Sequence, residues 1–212
     1  MKRNLMIIMI LAWGWNLLSA ESMVSWSGSA YGLYSFPVGS LKNWFQATPN
    51  FGFTAGRHYT ERWMVEAVFE YSRYDRENLT GYADGKLELE LTHWLFGIQG
   101  RYRIREWQSV KTYYLLGGGI YKWTGIRGAV AADSSLDLPD IAERKLSETN
   151  WGAYTGLGLE WAVTRRLGVE FHTRYRFIVG DLWPTMQPHI ELEGVSGFQT
   201  LNAGFSLRYY FR

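Results

Sequence analysis

The chain contains no cysteine and, beyond its first 20 residues, no long apolar run. The lack of cysteine excludes a disulfide framework and a lipid anchor attached through a cysteine thiol. The lack of an apolar run of roughly 20 residues excludes a membrane-spanning helix after residue 20. Charge is nearly balanced, with a formal net charge of +2 over 212 residues, so bulk charge indicates no nucleic-acid partner.

The usual metal and phosphate motifs are also missing. The sequence has no HExxH segment and no Asp-rich calcium loop. The run Gly117-Gly118-Gly119 lacks the Lys and the Ser or Thr that complete a phosphate-binding loop. We therefore expect no metal and no cofactor, and we interpret the glycines as positions of close strand packing or of bending.

The first residues predict export. A basic start at residues 1–3 precedes an uncharged, largely apolar run at 5–18 and small residues at 19–22. This order is the layout of a signal peptide, with cleavage expected after Ala20 or after Ser22. A retained anchor helix is the alternative, but the run is shorter than the roughly 20 residues that a spanning helix needs. The remaining domain covers about residues 23–212.

Alternating strand-like segments dominate that domain, which is rich in Trp and Tyr, the residues that favour membrane–water interfaces. Side chains two positions apart share a face of a strand, and these segments place large apolar residues on one face and small or polar ones on the other. We count eight segments, at 26–36, 50–59, 63–74, 88–104, 110–124, 150–162, 167–179 and 197–211. No long segment has the 3.6-residue period of an amphipathic helix.

The segments favour a barrel that is apolar outside and polar inside. Trp151 and Trp161 stand at opposite ends of one apolar face, and the polar faces carry glycine and charge. Short links near 60–62, 105–109 and 163–166 alternate with long links at 37–49, 75–87, 125–149 and 180–196, as in bacterial outer-membrane barrels. The pattern predicts an all-β fold: an eight-stranded antiparallel up-and-down transmembrane β-barrel, monomeric, with its long loops facing out of the cell.

The end of the chain carries the most specific resemblance. The segment Gly204-Phe205-Ser206-Leu207-Arg208-Tyr209-Tyr210-Phe211 resembles the C-terminal signal of outer-membrane barrels, although here Arg212 follows the Phe that normally ends it. Segments 156–161 and 169–177 also resemble strands of the OmpA-type eight-stranded barrels of Gram-negative bacteria. The resemblance to that family spans residues 26–211. The resemblance implies an outer-membrane location, lipid and lipopolysaccharide neighbours, and recognition of Leu207, Tyr209 and Phe211 by the barrel assembly machinery.

Alternation also predicts a charged lumen. Eight strands leave an interior just wide enough for side chains, and an unpaired buried charge is costly. Paired charges that fill the lumen are therefore favoured over an ion path. Arg57 is an exception on an apolar face, which indicates a bulge or a place at the headgroup level. The expected lumen residues are Glu66, Glu70, Arg101, Arg103, Lys122, Glu160, Glu170, His172, Arg174, Arg176 and Arg208.

A catalytic site is not expected. In the barrel family of lipid A deacylases a Ser follows the catalytic His by two positions, whereas Arg174 follows His172 here. Ser206 could approach His172 and Glu170, but that depends on the strand register. We expect a structural or surface-interaction role through the outer loops, where an extracellular ligand could bind. A narrow channel resembling the OmpW group, a lipid-modifying enzyme and a soluble lipocalin-like barrel remain as alternatives.

Overall fold

The computed structural model describes residues 25–74, 89–128, 143–182 and 195–211; the predicted signal peptide lies outside these ranges. They contain the 3-10 helix Gly39–Asn43 and eight strands. No helix in this part of the chain is long and apolar enough to cross a membrane. The strands are β1 Trp26–Val38, β2 Thr48–His58, β3 Trp63–Tyr74, β4 Leu89–Trp107, β5 Val110–Arg127, β6 Arg144–Ala162, β7 Leu167–Leu182 and β8 Val195–Phe211.

The strands form a closed antiparallel barrel, which confirms the predicted fold class. Each strand pairs with the next along the chain, and β1 pairs with β8. The β5–β6 pairing continues beyond Trp123↔Glu148 to Arg127↔Arg144. Part of the predicted 125–149 loop is therefore strand. The chain turns tightly at 59–62, 108–109 and 163–166, and we call this the turn end and the opposite one the loop end.

The outer surface of the barrel is apolar and its interior is polar. Large side chains such as Phe53, Ile98 and Phe205 are exposed on the outside, and Trp151 and Trp161 stand exposed at the two ends of β6. The buried side chains inside include glutamates, arginines, serines and asparagines. A soluble barrel has the reverse arrangement, whereas a barrel in lipid turns its apolar face outward.

Tyrosine rings inside the barrel lie over glycines of neighbouring strands. The ring of Tyr113 on β5 covers Gly158 on β6, where an added Cβ atom would lie 2.3 Å from the ring. Tyr154 covers Gly117 in the same way, and a Cβ atom added at Gly117 would lie 2.5 Å from the Tyr154 ring. Side chains cannot overlap at such distances, so the inner faces need glycine at these positions. Close packing thus accounts for Gly117 in the triple-glycine run.

The first long connection folds into the barrel at its loop end. The 3-10 helix Gly39–Asn43 carries Leu41 inward, and Trp44 and Phe45 follow it; all three are buried. They pack with inward residues of the surrounding strands into an apolar cluster that we call the loop-end core. Its strand members are Val68, Tyr74, Leu89, Leu91, Leu95, Tyr121, Trp123, Tyr154, Ile178 and Phe198.

Candidate functional site

The turn-end half of the lumen contains a continuous chain of ion pairs. The carboxylate of Glu170 lies 2.6 Å from Arg101 and 2.6 Å from Arg208. Arg101 also pairs with Glu160 at 2.6 Å, and Arg208 pairs with Glu66 at 2.7 Å. These strands place the groups on inward faces because each residue has the parity of its strand's buried positions. The chain therefore links β3, β4, β6, β7 and β8 across the lumen.

The loop-end half is organised around Glu70. Its carboxylate accepts hydrogen bonds from Tyr31 at 2.9 Å and from Asn50 at 2.5 Å. It also pairs with Arg176 and, at 3.4 Å, with Arg174. Two guanidinium groups thus share one carboxylate, and the phenol and amide donors satisfy its remaining lone pairs. A buried carboxylate needs such a full set of partners because its desolvation is costly.

Gln99 on β4 connects the two halves. Its amide nitrogen donates to Glu66 at 2.6 Å, and its carbonyl oxygen accepts from the hydroxyl of Tyr154 at 2.9 Å. The Arg174 guanidinium lies over the Tyr154 ring, 5.4 Å from its centroid. Taken together, the described lumen holds four buried glutamates and four buried arginines, so opposite charges balance there: Glu66, Glu70, Glu160, Glu170, Arg101, Arg174, Arg176 and Arg208.

Three of the predicted lumen residues do not take part in these buried ion pairs. Arg103 faces the turn-end mouth, where it is partly exposed and pairs with Glu106 at 2.5 Å. Lys122 lies on the exposed outer side of β5, so its expected inward position was wrong. His172 is buried, but neither of its ring nitrogens has a hydrogen-bond partner in the described part of the chain. Its ring contacts Tyr31 edge-on, with 5.8 Å between the centroids.

The sequence left open whether Ser206 approaches His172 and Glu170, and the structure joins it to Glu170. Ser206 donates to Glu170 at 2.7 Å, and no hydrogen bond links it to His172 within the described ranges. A different pair exists on β3 and β4, where the Ser72 hydroxyl lies 2.7 Å from Nε2 of His93. Only the β3–β4 register, which pairs these two positions, could have revealed that contact.

The Ser72–His93 pair lacks the surroundings of a catalytic dyad. Both side chains are buried, and His93 contacts Tyr74 of the loop-end core. Besides Ser72, His93 Nε2 has the Arg176 guanidinium as a neighbour at 3.3 Å, and no carboxylate bonds to the ring among the described residues. A nucleophilic site needs an oriented base and access for substrate. The described residues also contain no cluster of potential metal ligands.

The two ends of the lumen differ in their access to water. A cavity of about 830 Å³ opens at the turn end, and polar side chains such as Lys111, Glu160 and Tyr210 line it. At the loop end, the corresponding space is filled by the loop-end core. The lumen is therefore open to water at one end and packed at the other.

Strand β6 continues beyond the exposed Trp151 toward the loop end, where its residues 144–150 lie. Lys145, Ser147 and Glu148 are exposed there, on both faces of the strand. Ladder pairing between β6 and β7 begins only at Gly152↔Ile178, and Gly180 of β7 still lies beside Asn150. In the described ranges, the β7-facing edge of β6 from Arg144 to Thr149 therefore pairs with no strand.

The residues of the predicted assembly signal occupy the outer face of β8. Leu207, Tyr209 and Phe211 are all exposed to the barrel exterior, and the rings of Tyr209 and Phe211 contact each other with 5.1 Å between centroids. Phe211 lies opposite Trp26 in the β1–β8 pairing. They are therefore placed at the seam where the first and last strands meet.

Comparison with solved structures identifies small outer-membrane barrels as similar folds. A major outer-membrane protein of Thermus thermophilus aligns with a TM-score of 0.59 at 10% identity, over 90% of this chain and all of the other. Neisserial surface protein A aligns at 0.52 with 15% identity, over 90% of this chain and 98% of its own. The Yersinia pestis attachment invasion locus protein Ail, solved with the heparin analogue sucrose octasulfate, aligns at 0.50 with 13% identity, over 90% and 100%.

No protein-family model matches the sequence, and no curated protein matches it. The similar structures named above are bacterial outer-membrane proteins with at most 15% identity to this chain. Likeness at that level shows the shared barrel fold, so the role of this chain has to be argued from its own residues.

Proposed function

We propose that the protein is a non-enzymatic outer-membrane barrel, closed to solute flow, that interacts with other molecules through its loop end. The apolar outer surface supports the location, because exposed side chains such as Phe53 and Phe205 are stable in hydrocarbon and not in water. Trp151 and Trp161 at the two ends of β6 fit the two membrane–water interfaces. The fold shared with bacterial outer-membrane proteins agrees with that placement.

The observation that carries the interaction role is the free edge of β6. Six residues, Arg144 to Thr149, leave their β7-facing backbone groups without a strand partner in the described chain. At about 3.3 Å per residue they extend roughly 20 Å along the strand. Such an edge can accept an extended segment of another protein by adding a strand to the sheet. Because this edge lies on the loop-end side of Trp151, it would be exposed on the cell surface.

The filled lumen supports a closed barrel over a channel. Glu70 and Arg176 at its middle are fully buried, and Leu41 and Phe45 pack above them. An ion would have to displace both layers, and the buried charged groups would then lose their partners. We therefore expect no conductance in planar bilayers. Steady single-channel currents from the purified barrel would favour the channel alternative instead.

Orientation can be tested directly because the chain has no cysteine of its own. Ser147→Cys places a thiol on the exposed part of β6, and Ser109→Cys places one at the exposed turn end. A membrane-impermeant maleimide added to intact cells should label the first variant and not the second, and permeabilised cells should give both. Labelling of Ser109→Cys alone would reverse the orientation, and recovery of the protein in a soluble fraction would overturn the membrane location.

The non-enzymatic part of the proposal has its own test. Overexpression should leave the mass spectrum of lipid A unchanged, because the buried Ser72 and His93 cannot reach a lipid substrate. A shift equal to the loss or gain of an acyl chain would identify a lipid-modifying enzyme. If that mass shift disappeared in the Ser72→Ala variant, the activity would be assigned to Ser72.

A further inference from the structure

A groove runs along the outer surface of the barrel on β1. Its volume is about 490 Å³, and its lining is almost entirely apolar. Ala30 and Gly32 form the floor. In the strand register, Gly32 lies between Phe51 of β2 and Phe205 of β8, and Ala30 lies between Phe53 and Leu207. Large side chains therefore form two walls on either side of a floor of small ones.

The fold does not require glycine on this floor. An added Cβ atom at Gly32 would meet its nearest neighbour, the Phe51 ring, at 3.7 Å. At Gly28, which lies outside the groove on the same outward face of β1, it would meet the Thr54 carbonyl oxygen at 3.5 Å. These are ordinary contact distances. Inside the barrel, by contrast, a Cβ atom at Gly52 would lie 2.4 Å from the Tyr31 ring. The outer glycines thus leave open space that a side chain could fill, and filling it should not disturb the barrel.

Arg57 stands at the turn end of the same surface. The β1–β2 and β2–β3 registers run through Arg57 without interruption, which excludes the bulge that the sequence left open and leaves the headgroup level. Arg57 is half-buried opposite Trp26, its Nε atom is buried without a hydrogen-bond partner, and the structure gives it no ion pair within the described ranges. An arginine here fits a phosphate, which accepts hydrogen bonds from the guanidinium fork.

We propose that this groove binds one phospholipid of the periplasmic leaflet. Arg57 holds the lipid phosphate, and one acyl chain lies over Ala30 and Gly32 between Phe51 and Phe205. Phe53 lies four positions from Arg57, or about 13 Å along the strand, so an acyl chain leaving the headgroup reaches the groove. The inference rests on the membrane location proposed above. A lipid fits better than a second copy of the chain, because the outward faces of β1, β2, β3 and β8 carry no Asp or Glu among the described residues that could pair with Arg57.

Native mass spectrometry of the purified barrel in detergent, titrated with phosphatidylglycerol, tests the site. The wild-type barrel should retain one lipid. Gly32→Val fills the groove floor and should weaken retention about tenfold, since a displaced chain loses the burial of roughly two methylene groups. The matched control is Gly100→Val, an outward glycine on β4 with 3.4 Å to its nearest neighbour, which should bind as the wild type does.

The phosphate contact has a separate arm. Arg57→Gln should bind phosphatidylglycerol no better than diacylglycerol, whereas the wild-type barrel should prefer the lipid that carries a phosphate. Equal retention by Gly32→Val and the wild type would overturn the proposal, and so would a dimer that Gly32→Val dissociates. Heat-modifiable migration of each variant reports whether the barrel has folded and inserted. A folded barrel without lipid retention contradicts this inference alone, whereas failure of the wild type to insert contradicts the proposed membrane role.

Discussion

Arg101 on β4 and Glu170 on β7 form an ion pair across the lumen, at 2.6 Å, although their strands are not neighbours in the barrel. Hydrogen bonds between adjacent strands hold the wall of the barrel, and this pair joins opposite parts of that wall through the interior. Glu170 also holds Arg208 and accepts a hydrogen bond from Ser206. It is therefore the carboxylate on which the turn-end network depends.

The first prediction concerns that carboxylate. Glu170→Gln keeps the size of the side chain but leaves Arg101 and Arg208 with one fewer counter-charge in a buried site. Removing one partner of a buried ion pair destabilises a fold by about 3–5 kcal/mol, and Glu160 and Glu66 still offset part of the loss, so we expect about 3 kcal/mol here. Urea unfolding of the barrel in lipid vesicles measures the free energy of unfolding.

A matched control lies on the exposed part of β6. Glu148→Gln removes the same charge from a solvent-exposed position, so its free energy of unfolding should stay within about 0.5 kcal/mol of the wild type. If both variants unfold at the same urea concentration, the lumen network contributes little to stability and the first prediction is wrong.

The loop-end core gives the second prediction. Phe45→Ala removes a fully buried ring that contacts Tyr74, and such truncations destabilise their surroundings by about 3–5 kcal/mol. The destabilisation affects residues 39–47 first, because the flanking strands keep their hydrogen bonds. We expect faster protease cleavage within that segment of the folded barrel. Conductance should stay absent, since Glu70 and Arg176 still fill the lumen below.

The control for this variant is Gln46→Ala, at the exposed neighbouring position. It should leave cleavage unchanged, because it removes no buried contact. Currents that appear in Phe45→Ala would mean that the first connection alone closes the barrel, and the proposed role of the ion pairs in closing it would then be wrong.

Much of the barrel could be predicted from the sequence because a strand repeats every two residues. Alternation alone placed Glu66, Glu160 and Arg208 on inward faces, since each segment had one apolar face to turn outward. Where alternation was weak the prediction failed. Lys122 follows the triple glycine of β5, which gives no apolar face, and only the pairing with β4 and β6 places it outside.

Two other features depend on contacts that no sequence period encodes. The Ser72–His93 pair follows from the register of β3 against β4, which sets which residues lie opposite each other. The inward fold of Leu41 and Phe45 belongs to a connection, where apolar residues have no regular spacing. The surroundings of Arg103 could not be predicted for another reason. The pairing register shifts between Arg103 and Arg105, just where β4 reaches the turn-end mouth.

The last prediction separates assembly in the cell from stability of the folded barrel. Phe211 lies on the lipid-facing side of β8, beside Tyr209 and opposite Trp26. If the assembly machinery reads this face, Phe211→Ala should lower the fraction of protein that reaches the outer membrane in heat-modifiable form. The same variant should refold in detergent almost as the wild type does, because the lost ring is exposed and leaves no interior cavity. Phe205→Ala is the matched control: it removes another exposed ring from the same face of β8, six positions before Phe211. Equal assembly defects in the two variants would show that lipid-facing aromatic area matters and that the C-terminal position does not.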